Sequence, residues 1–200
     1  MSNTLRIALM SAAAGALIVA GAVAPVSAQD KMKSEMSGEK TVMVGGAPMY
    51  RTKNIVENAV NSKDHTTLVS AVKAAGLVDT LSSKGPFTVF APTNAAFAKL
   101  PAGTVDNLVK PENKDTLTKI LTYHVVPGRL TAAGLMKAIK EGEGTAKFKT
   151  VAGGEIWIKQ AGPGKLSVTD AKGDVAMVTI PDVLQSNGVI HVIDTVLLPM

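Results

Sequence analysis

The sequence predicts an α+β domain whose sheet is largely antiparallel. Between residues 54 and 142 apolar side chains recur at helical spacing, as in Leu68, Val69, Val72 and Ala75. From Thr145 onward the apolar period changes to two, and glycine-containing turns separate short segments. Helices followed by a strand-rich half are typical of the α+β class, and the length suits one domain.

The first 28 residues predict a secretory signal peptide. Arg6 provides the positive charge, residues 7–24 form the apolar stretch, and Val26-Ser27-Ala28 is a small-residue cleavage motif. The alternative is a membrane anchor, but the stretch is rich in alanine and glycine and no stop-transfer charge flanks it. We therefore expect cleavage after Ala28, no stable membrane insertion afterwards, and a secreted or periplasmic protein.

Residues 29–50 predict a flexible lead-in, because they are polar and end in a Gly-Gly-Ala-Pro run. Thioethers are soft ligands for Cu(I), and four methionines fall within this segment: Met32, Met36, Met43 and Met49. Their spacing is irregular, and no histidine or cysteine accompanies them, which favours chance or an adaptable contact surface. The domain itself is predicted over residues 51–200.

The helical half begins with an apolar face on Ile55, Val56, Ala59 and Val60, behind Asn54 as a cap. A second helix is predicted from Asp64 to a stop at Gly76, and a short helical turn over residues 77–81. Pro111 then starts a stronger helix. Its buried face is predicted to carry Leu117, Ile120, Leu121 and His124, and a last amphipathic helix spans residues 131–140.

Residues 85–101 predict a strand, a tight corner and a short helix. Phe87, Val89 and Phe90 favour a strand, which Pro92 ends because the residue before a proline avoids the helical region. Thr93 and Asn94 are both good residues to cap the following helix.

The second half predicts strands near residues 148–150, 156–158, 166–168, 175–180 and 189–198. Trp157, the single tryptophan, lies between two isoleucines. We expect it to pack in the core or at a sheet edge rather than to form a binding platform.

Three stretches together resemble the fasciclin (FAS1) domain family. They are TVFAPTNAAF at residues 88–97, YHVVPG at residues 123–128 and NGVIHVID at residues 187–194. The resemblance covers about residues 54–199 and implies a β-wedge of two largely antiparallel sheets flanked by helices. It also implies an extracellular adhesion or matrix module without shared catalytic chemistry, whose partner is a protein or glycan of a cell surface or matrix.

The motif residues are predicted to be structural. Asn94 and His124 should be buried polar groups that fix how the first motif packs on the second, because an unsatisfied buried polar atom costs about 1–3 kcal/mol. His191 lies in an alternating strand and could face either side of the sheet. The structural set is completed by Thr93, Phe97 and Tyr123.

Charge and motif content argue against several functions. The chain carries 21 basic and 16 acidic residues, and removing Arg6 with the signal peptide leaves 20 basic residues and a net charge of +4. Arginine clusters with interleaved aromatics are lacking, so nucleic-acid binding is not expected. The three histidines lack metal-site spacing, and neither a G-x-S-x-G nor a phosphate-binding loop occurs. We expect no enzyme, no cofactor and no metal.

The family resemblance points to residues 115–130 as the contact segment. Helical spacing turns Asp115, Thr118, Lys119 and Thr122 outward, and the Pro127-Gly128 turn is expected to present Arg129. An ordinary solvated face is the alternative. The leading functional hypothesis is an exported, non-enzymatic adhesion module, with host or matrix association as one role open to it. The other hypothesis is a periplasmic carrier of a small ligand or of copper.

Overall fold

The computed structural model describes residues 41–200. The predicted signal peptide and residues 29–40 of the predicted lead-in lie outside these residues. Within them, seven α-helices and two short 3-10 turns (Lys63–His65 and Pro111–Asn113) surround the strands. The helices are α1 (Ile55–Ala59), α2 (Thr66–Ala75), α3 (Val78–Ser82), α4 (Asn94–Ala98), α5 (Thr104–Leu108), α6 (Lys114–Tyr123) and α7 (Ala132–Glu141).

Nine strands are found in the described residues. They are β1 (Val42–Val44), β2 (Ala47–Met49), β3 (Phe87–Pro92), β4 (Val125–Pro127), β5 (Thr145–Lys149), β6 (Glu155–Gln160), β7 (Leu166–Thr169), β8 (Val175–Gln185) and β9 (Gly188–Ile193). Strands β1 and β2 form a small antiparallel sheet, and the other seven follow the order β4-β3-β9-β8-β7-β6-β5. Only β3 and β9 pair in parallel within that large sheet. The α+β prediction is confirmed.

Strand β8 joins the two arms of the large sheet. Its first residues pair with β7, and its later residues pair with β9. Register shifts interrupt the second pairing between Val178 and Ile180 and between Ile180 and Val183, and Asp182 has a φ of 56°. Because such irregularities bend a strand and increase its twist, the two arms form the expected wedge while remaining one continuous mixed sheet.

The two ends of the large sheet approach each other. The Val151 N–H, just after β5, donates to the carbonyl of Val125 in β4 at 2.8 Å, and the Ala152 N–H donates to Thr122 O at 3.3 Å. These bonds satisfy part of the exposed edge of β4 and bring the sheet close to a barrel, which limits edge-to-edge association.

The predicted flexible lead-in does not extend over residues 42–49, which form the β1–β2 hairpin. Gly45 and Gly46 have φ values of 58° and 76°, as a tight two-residue hairpin turn requires. Val44, Ala47 and Met49 are buried in the core. Apolar residues alternate on either side of Gly-Gly, which is typical of a hairpin, but the polar composition of residues 29–50 as a whole favoured a flexible segment.

Two apolar clusters lie on the sheet. The first packs the hairpin and helices α1 to α4 and α6 against β3 and β9, and it includes Ile55, Leu68, Val72, Phe97, Leu117, Leu121, Val183 and Ile190. The second packs α7 against β5, β6 and β7, and it includes Phe90, Tyr123, Leu135, Ile139, Ile156, Ile158, Val168 and Leu197. No helix in residues 41–200 is long and apolar enough to cross a membrane.

Candidate functional site

Tyr123 and His124 end helix α6 at the junction of the two apolar clusters. The Tyr123 ring lies in the second cluster and is fully buried. Its hydroxyl donates to the carbonyl of Glu155 at 2.5 Å and accepts from the Ala171 N–H at 3.0 Å. Burial raises the pKa of Tyr123 above its ordinary value, so the phenol stays protonated and ties α6 to strand β6 and to the β7–β8 turn.

Both ring nitrogens of His124 have backbone partners. Nδ1 donates to the carbonyl of Ile120 at 2.8 Å, and Nε2 accepts from the Leu197 N–H at 2.9 Å. This pattern fits one tautomer of the neutral ring, with the proton on Nδ1. Burial lowers the pKa of His124 to about 4, although the Ile120 carbonyl and Asp170 favour the protonated form. His124 thus holds the C-terminal segment against α6 and is not available as an acid or base near neutral pH.

His191 faces inward on β9, which answers the orientation that the alternating sequence left open. Nε2 donates to Leu130 O at 2.8 Å, Nδ1 accepts from the Asp182 N–H at 3.3 Å, and the ring stacks on Phe90 at a centroid distance of 5.6 Å. Burial lowers its pKa, so the ring is neutral. It binds the turn after β4 and the irregular part of β8 to the centre of the sheet.

The corner of the first motif is held by side-chain hydrogen bonds. Thr93 is the cap of α4, and its hydroxyl accepts from the Ala96 N–H. Asn94, the first helical residue, accepts from the Thr67 N–H at 3.0 Å and donates to Lys63 O at 2.8 Å and to the Thr66 hydroxyl at 3.0 Å. Asn94 therefore fixes α4 to the start of α2, and Phe97 packs in the first cluster.

The outward side of α6 carries the predicted adhesion residues. Asp115 and Lys119 are exposed and Thr118 and Thr122 are half-buried, while the opposite side of the helix is buried. The Thr122 hydroxyl donates to Thr118 O at 2.7 Å, so its donor is used inside the helix. Among the four predicted residues of this helix, Asp115 and Lys119 are therefore the exposed charged groups.

Arg129 has contacts within the fold that the sequence did not suggest. Its guanidinium Nη2 donates to the carbonyls of Gln185 and Ser186, each at 3.1 Å. Arg129 is exposed, as expected, but its side chain also links the turn after β4 to the β8–β9 turn. Carbonyl acceptors more than 50 residues away leave no local signal in the sequence.

The sequence did not predict a set of hydrogen-bonded polar side chains around the β8–β9 turn. The Asn187 side chain accepts from the Ile55 N–H and donates to Leu81 O and Ser83 O. Asn58, fully buried, exchanges hydrogen bonds with the Tyr50 backbone and donates to the Gln185 side chain. These contacts join the hairpin, α1 and α3 to the end of β8. Asn187 belongs to a recognised motif, but nothing in the sequence indicates its partners.

A small apolar cavity of about 50 Å³ lies inside the first cluster, between the hairpin, α1, α2 and the sheet. Met49, Ile55, Leu68, Val72, Val89 and Ile190 are among the apolar side chains that line it, together with His65. His65 Nδ1 lies 2.9 Å from the Ser62 hydroxyl, while the buried Nε2 makes no well-formed hydrogen bond within residues 41–200. Burial lowers the pKa of His65, although the Ala91 backbone and Asp64 favour the protonated ring. Sequence reasoning did not single out this residue.

No group of three or more histidine, cysteine, aspartate or glutamate residues in the described part of the chain could hold a metal ion. Of the lead-in methionines, Met49 is buried in the core, whereas Met43 is 57% exposed. Two of the three histidines have both nitrogens bound to backbone groups. The geometry defines an α+β module in which the motif residues act as structural joints.

Comparison with known proteins assigns this module. The fasciclin domain model matches residues 63–199. Protein sll1483 of Synechocystis is 51% identical over 163 residues, which cover 80% of this chain and 82% of that protein. The cell surface glycolipoprotein MPB83 of Mycobacterium bovis is 37% identical over 150 residues, covering 70% of this chain and 58% of its own length.

Among solved structures, a FAS1 domain pair from the insect cell adhesion molecule fasciclin I matches with a TM-score of 0.64 and 21% identity. The match covers 73% of this chain and 51% of the other, and it shows the shared fold. The chain belongs to the fasciclin domain family, and the resemblance found in the three sequence motifs is confirmed.

Proposed function

We propose that this protein is an exported, non-enzymatic surface-interaction module that binds a protein or glycan of a cell surface or matrix. The observation that carries the proposal is the exposed charged strip of Asp115 and Lys119 on a helix whose other side is fixed in the core by Leu117, Ile120 and Leu121. Two similar proteins, a cell surface glycolipoprotein and a cell adhesion molecule, support the same role.

The strip suits recognition because a partner could contact it without disturbing the fold. The buried side of α6 continues into Tyr123 and His124, whose bonds fix the helix at its C-terminal end. A rigid surface loses little conformational freedom on association, which favours binding. Arg129 is left out of the test, because its side chain also donates to two backbone carbonyls and its replacement would change more than surface charge.

The test is attachment of the purified protein to cells or matrix from its source. Lys119→Glu is expected to reduce attachment while keeping the melting temperature, since exposed substitutions usually change stability by about 0.5 kcal/mol or less. Lys137→Glu makes the same charge change at an exposed residue of helix α7 and serves as the control. Equal attachment by both variants and the unmodified protein would place the contact elsewhere.

A second candidate function, a carrier of a small ligand, is favoured by the cavity at His65. Because the cavity is only about 50 Å³, a small alcohol of a few heavy atoms is the kind of molecule that could fill it, and its hydroxyl could bind Nε2 in either tautomer. Copper carriage is less well supported, since Met49 is a core residue. Thermal unfolding with and without a low concentration of ethanol tests the idea. A rise in melting temperature that His65→Phe abolishes would favour a carrier.

A further inference from the structure

The outer face of the arm formed by β5 to β8 has a regular arrangement of side chains. Antiparallel pairing places Lys147, Trp157, Thr169 and Val175 in one row across the four strands. The next row on the same face contains Thr145, Lys159, Ser167 and Met177. The opposite face carries the buried row Ala146, Ile158, Val168 and Ala176, so α7 covers one side of this arm. We call the two outer rows, with Lys149 and Glu155, the lysine–tryptophan face.

This face combines a half-buried aromatic ring with positive charge. Neither apolar cluster of residues 41–200 includes Trp157, and β6 is an interior strand, so the residue is neither in the core nor at a sheet edge. Lys147 Nζ lies 5.8 Å from the centre of the Trp157 ring and 2.8 Å from Glu155. Lys147, Lys149 and Lys159 are all exposed. Glu155 is the one acidic residue of the face, so the face has a net charge of about +2.

A depression of about 370 Å³ adjoins the face at the far end of β7 and β8. Met177 belongs to both, and Lys165, Thr179 and Pro181 also line the depression. Its volume lies near the lower limit of small-molecule sites, which span roughly 300–1,000 Å³. The depression extends the lysine–tryptophan face and adds the amino group of Lys165, whereas the Thr179 hydroxyl already donates to Val192 O.

We propose that the lysine–tryptophan face and this depression bind an acidic polysaccharide. The inference rests on the proposed surface-interaction function and names its partner class. Lysine amino groups at the positions of Lys147, Lys149 and Lys159 pair with carboxylate or sulfate groups along the polymer. The indole of Trp157 offers a rigid apolar surface for the C–H face of a sugar ring, and the hydroxyls of Thr145 and Thr169 lie beside it in the two outer rows. Neighbouring strands lie about 4.8 Å apart, so the side chains within each row are regularly spaced across the face and could contact an extended chain.

The probes are heparin and alginate as acidic polysaccharides and dextran as a neutral one, titrated against the full chain. We expect binding of the acidic polymers that weakens as salt increases, and none of dextran. Lys147→Gln with Lys159→Gln should lower the affinity about tenfold, because two of the charge contacts are lost. The control is Lys84→Gln with Lys137→Gln, which removes the same charge from two exposed residues outside the face. Lys137 is ion-paired, as Lys147 is, so the two pairs are matched. The control should leave the affinity within about twofold.

Trp157 distinguishes a site from a diffuse charge effect. Trp157→Ala should lower the affinity for both acidic polymers, and Trp157→Phe should restore part of it at an unchanged salt dependence. Equal losses in the two lysine pairs, or full affinity in Trp157→Ala, would overturn the proposal. So would binding of anionic phospholipid vesicles without binding of either acidic polymer. If glycan binding fails while Lys119→Glu still loses cell attachment, the polysaccharide inference fails and the proposed function stands.

Discussion

His124 and His65 have nearly the same exposed fraction, 2% and 3% of their surfaces, yet their surroundings differ. His124, at the junction of the two clusters, has backbone partners for both nitrogens. His65, beneath the hairpin, has a well-formed hydrogen bond at Nδ1 alone, and both rings line the same small cavity. Recognisable motifs thus coincide with complete hydrogen bonding of the buried ring, whereas the ring beneath the hairpin keeps one nitrogen without a well-formed hydrogen bond.

Removing the His124 side chain should produce the largest change. His124→Ala leaves the Leu197 N–H and the Ile120 carbonyl without the ring as partner and opens a void between the clusters. We expect a loss of about 4 kcal/mol in the free energy of unfolding, from two unsatisfied groups and the cavity. Urea unfolding followed by circular dichroism measures it. A loss below about 1 kcal/mol would contradict the structural role assigned to the residue.

Acid should weaken the same junction. Because burial lowers the pKa of His124 from 6.5 to about 4, the unfolded chain binds more protons than the folded protein between these values. Stability is therefore complete above about pH 6.5 and falls by about 3 kcal/mol as the pH drops to about 4, counting His124 alone. The lowered pKa values of His65 and His191 act in the same direction.

Urea unfolding between pH 4 and pH 8 measures this dependence. His124→Gln should show a smaller slope across the window, because the titrating ring is gone. Asp194 interferes little: although its burial opposes ionisation, hydrogen bonds from Met177 and Thr195 and the nearby Lys99 keep its pKa below the ordinary value. Its contribution is therefore lost only at more acidic pH. An unchanged slope in the variant would show that His124 does not govern the acid response.

The corner of the first motif should respond less strongly. Asn94→Ala removes three hydrogen bonds to residues 63–67, but the site is half-buried, so water can replace part of them. We expect a loss of about 2 kcal/mol. Asn61→Ala removes one exposed bond to Glu57 O and is a matched control, with an expected loss of about 0.5 kcal/mol or less. Similar melting temperatures for the two variants would mean that Asn94 is not a joint of the fold.

The sequence predicted these parts of the molecule to different degrees because the signals differ in range. Tyr123, His124 and Asn94 lie in contiguous motifs, so their positions in a helix end and a strand-helix corner could be read locally. Arg129 binds carbonyls at residues 185 and 186, which local spacing cannot reveal. The lysine–tryptophan face is visible as alternation within β5 and β6, but only the strand register brings Lys147 beside Trp157.

The hairpin region should be the most tolerant. His65→Leu removes the bond between Nδ1 and the Ser62 hydroxyl, which is buried, but it also removes the unpartnered Nε2 and keeps an apolar side chain in the cavity wall. These effects oppose each other, because losing a buried bond costs about 1 kcal/mol and removing an unsatisfied polar atom returns a similar amount. The free energy of unfolding should therefore stay within about 1 kcal/mol of its original value, and the acid response should lose the share of His65. His124→Leu, measured alongside, should remain strongly destabilising, since an apolar side chain of similar size still leaves two backbone groups unpaired. Equal losses in the two leucine variants would remove the distinction between the junction and the hairpin region.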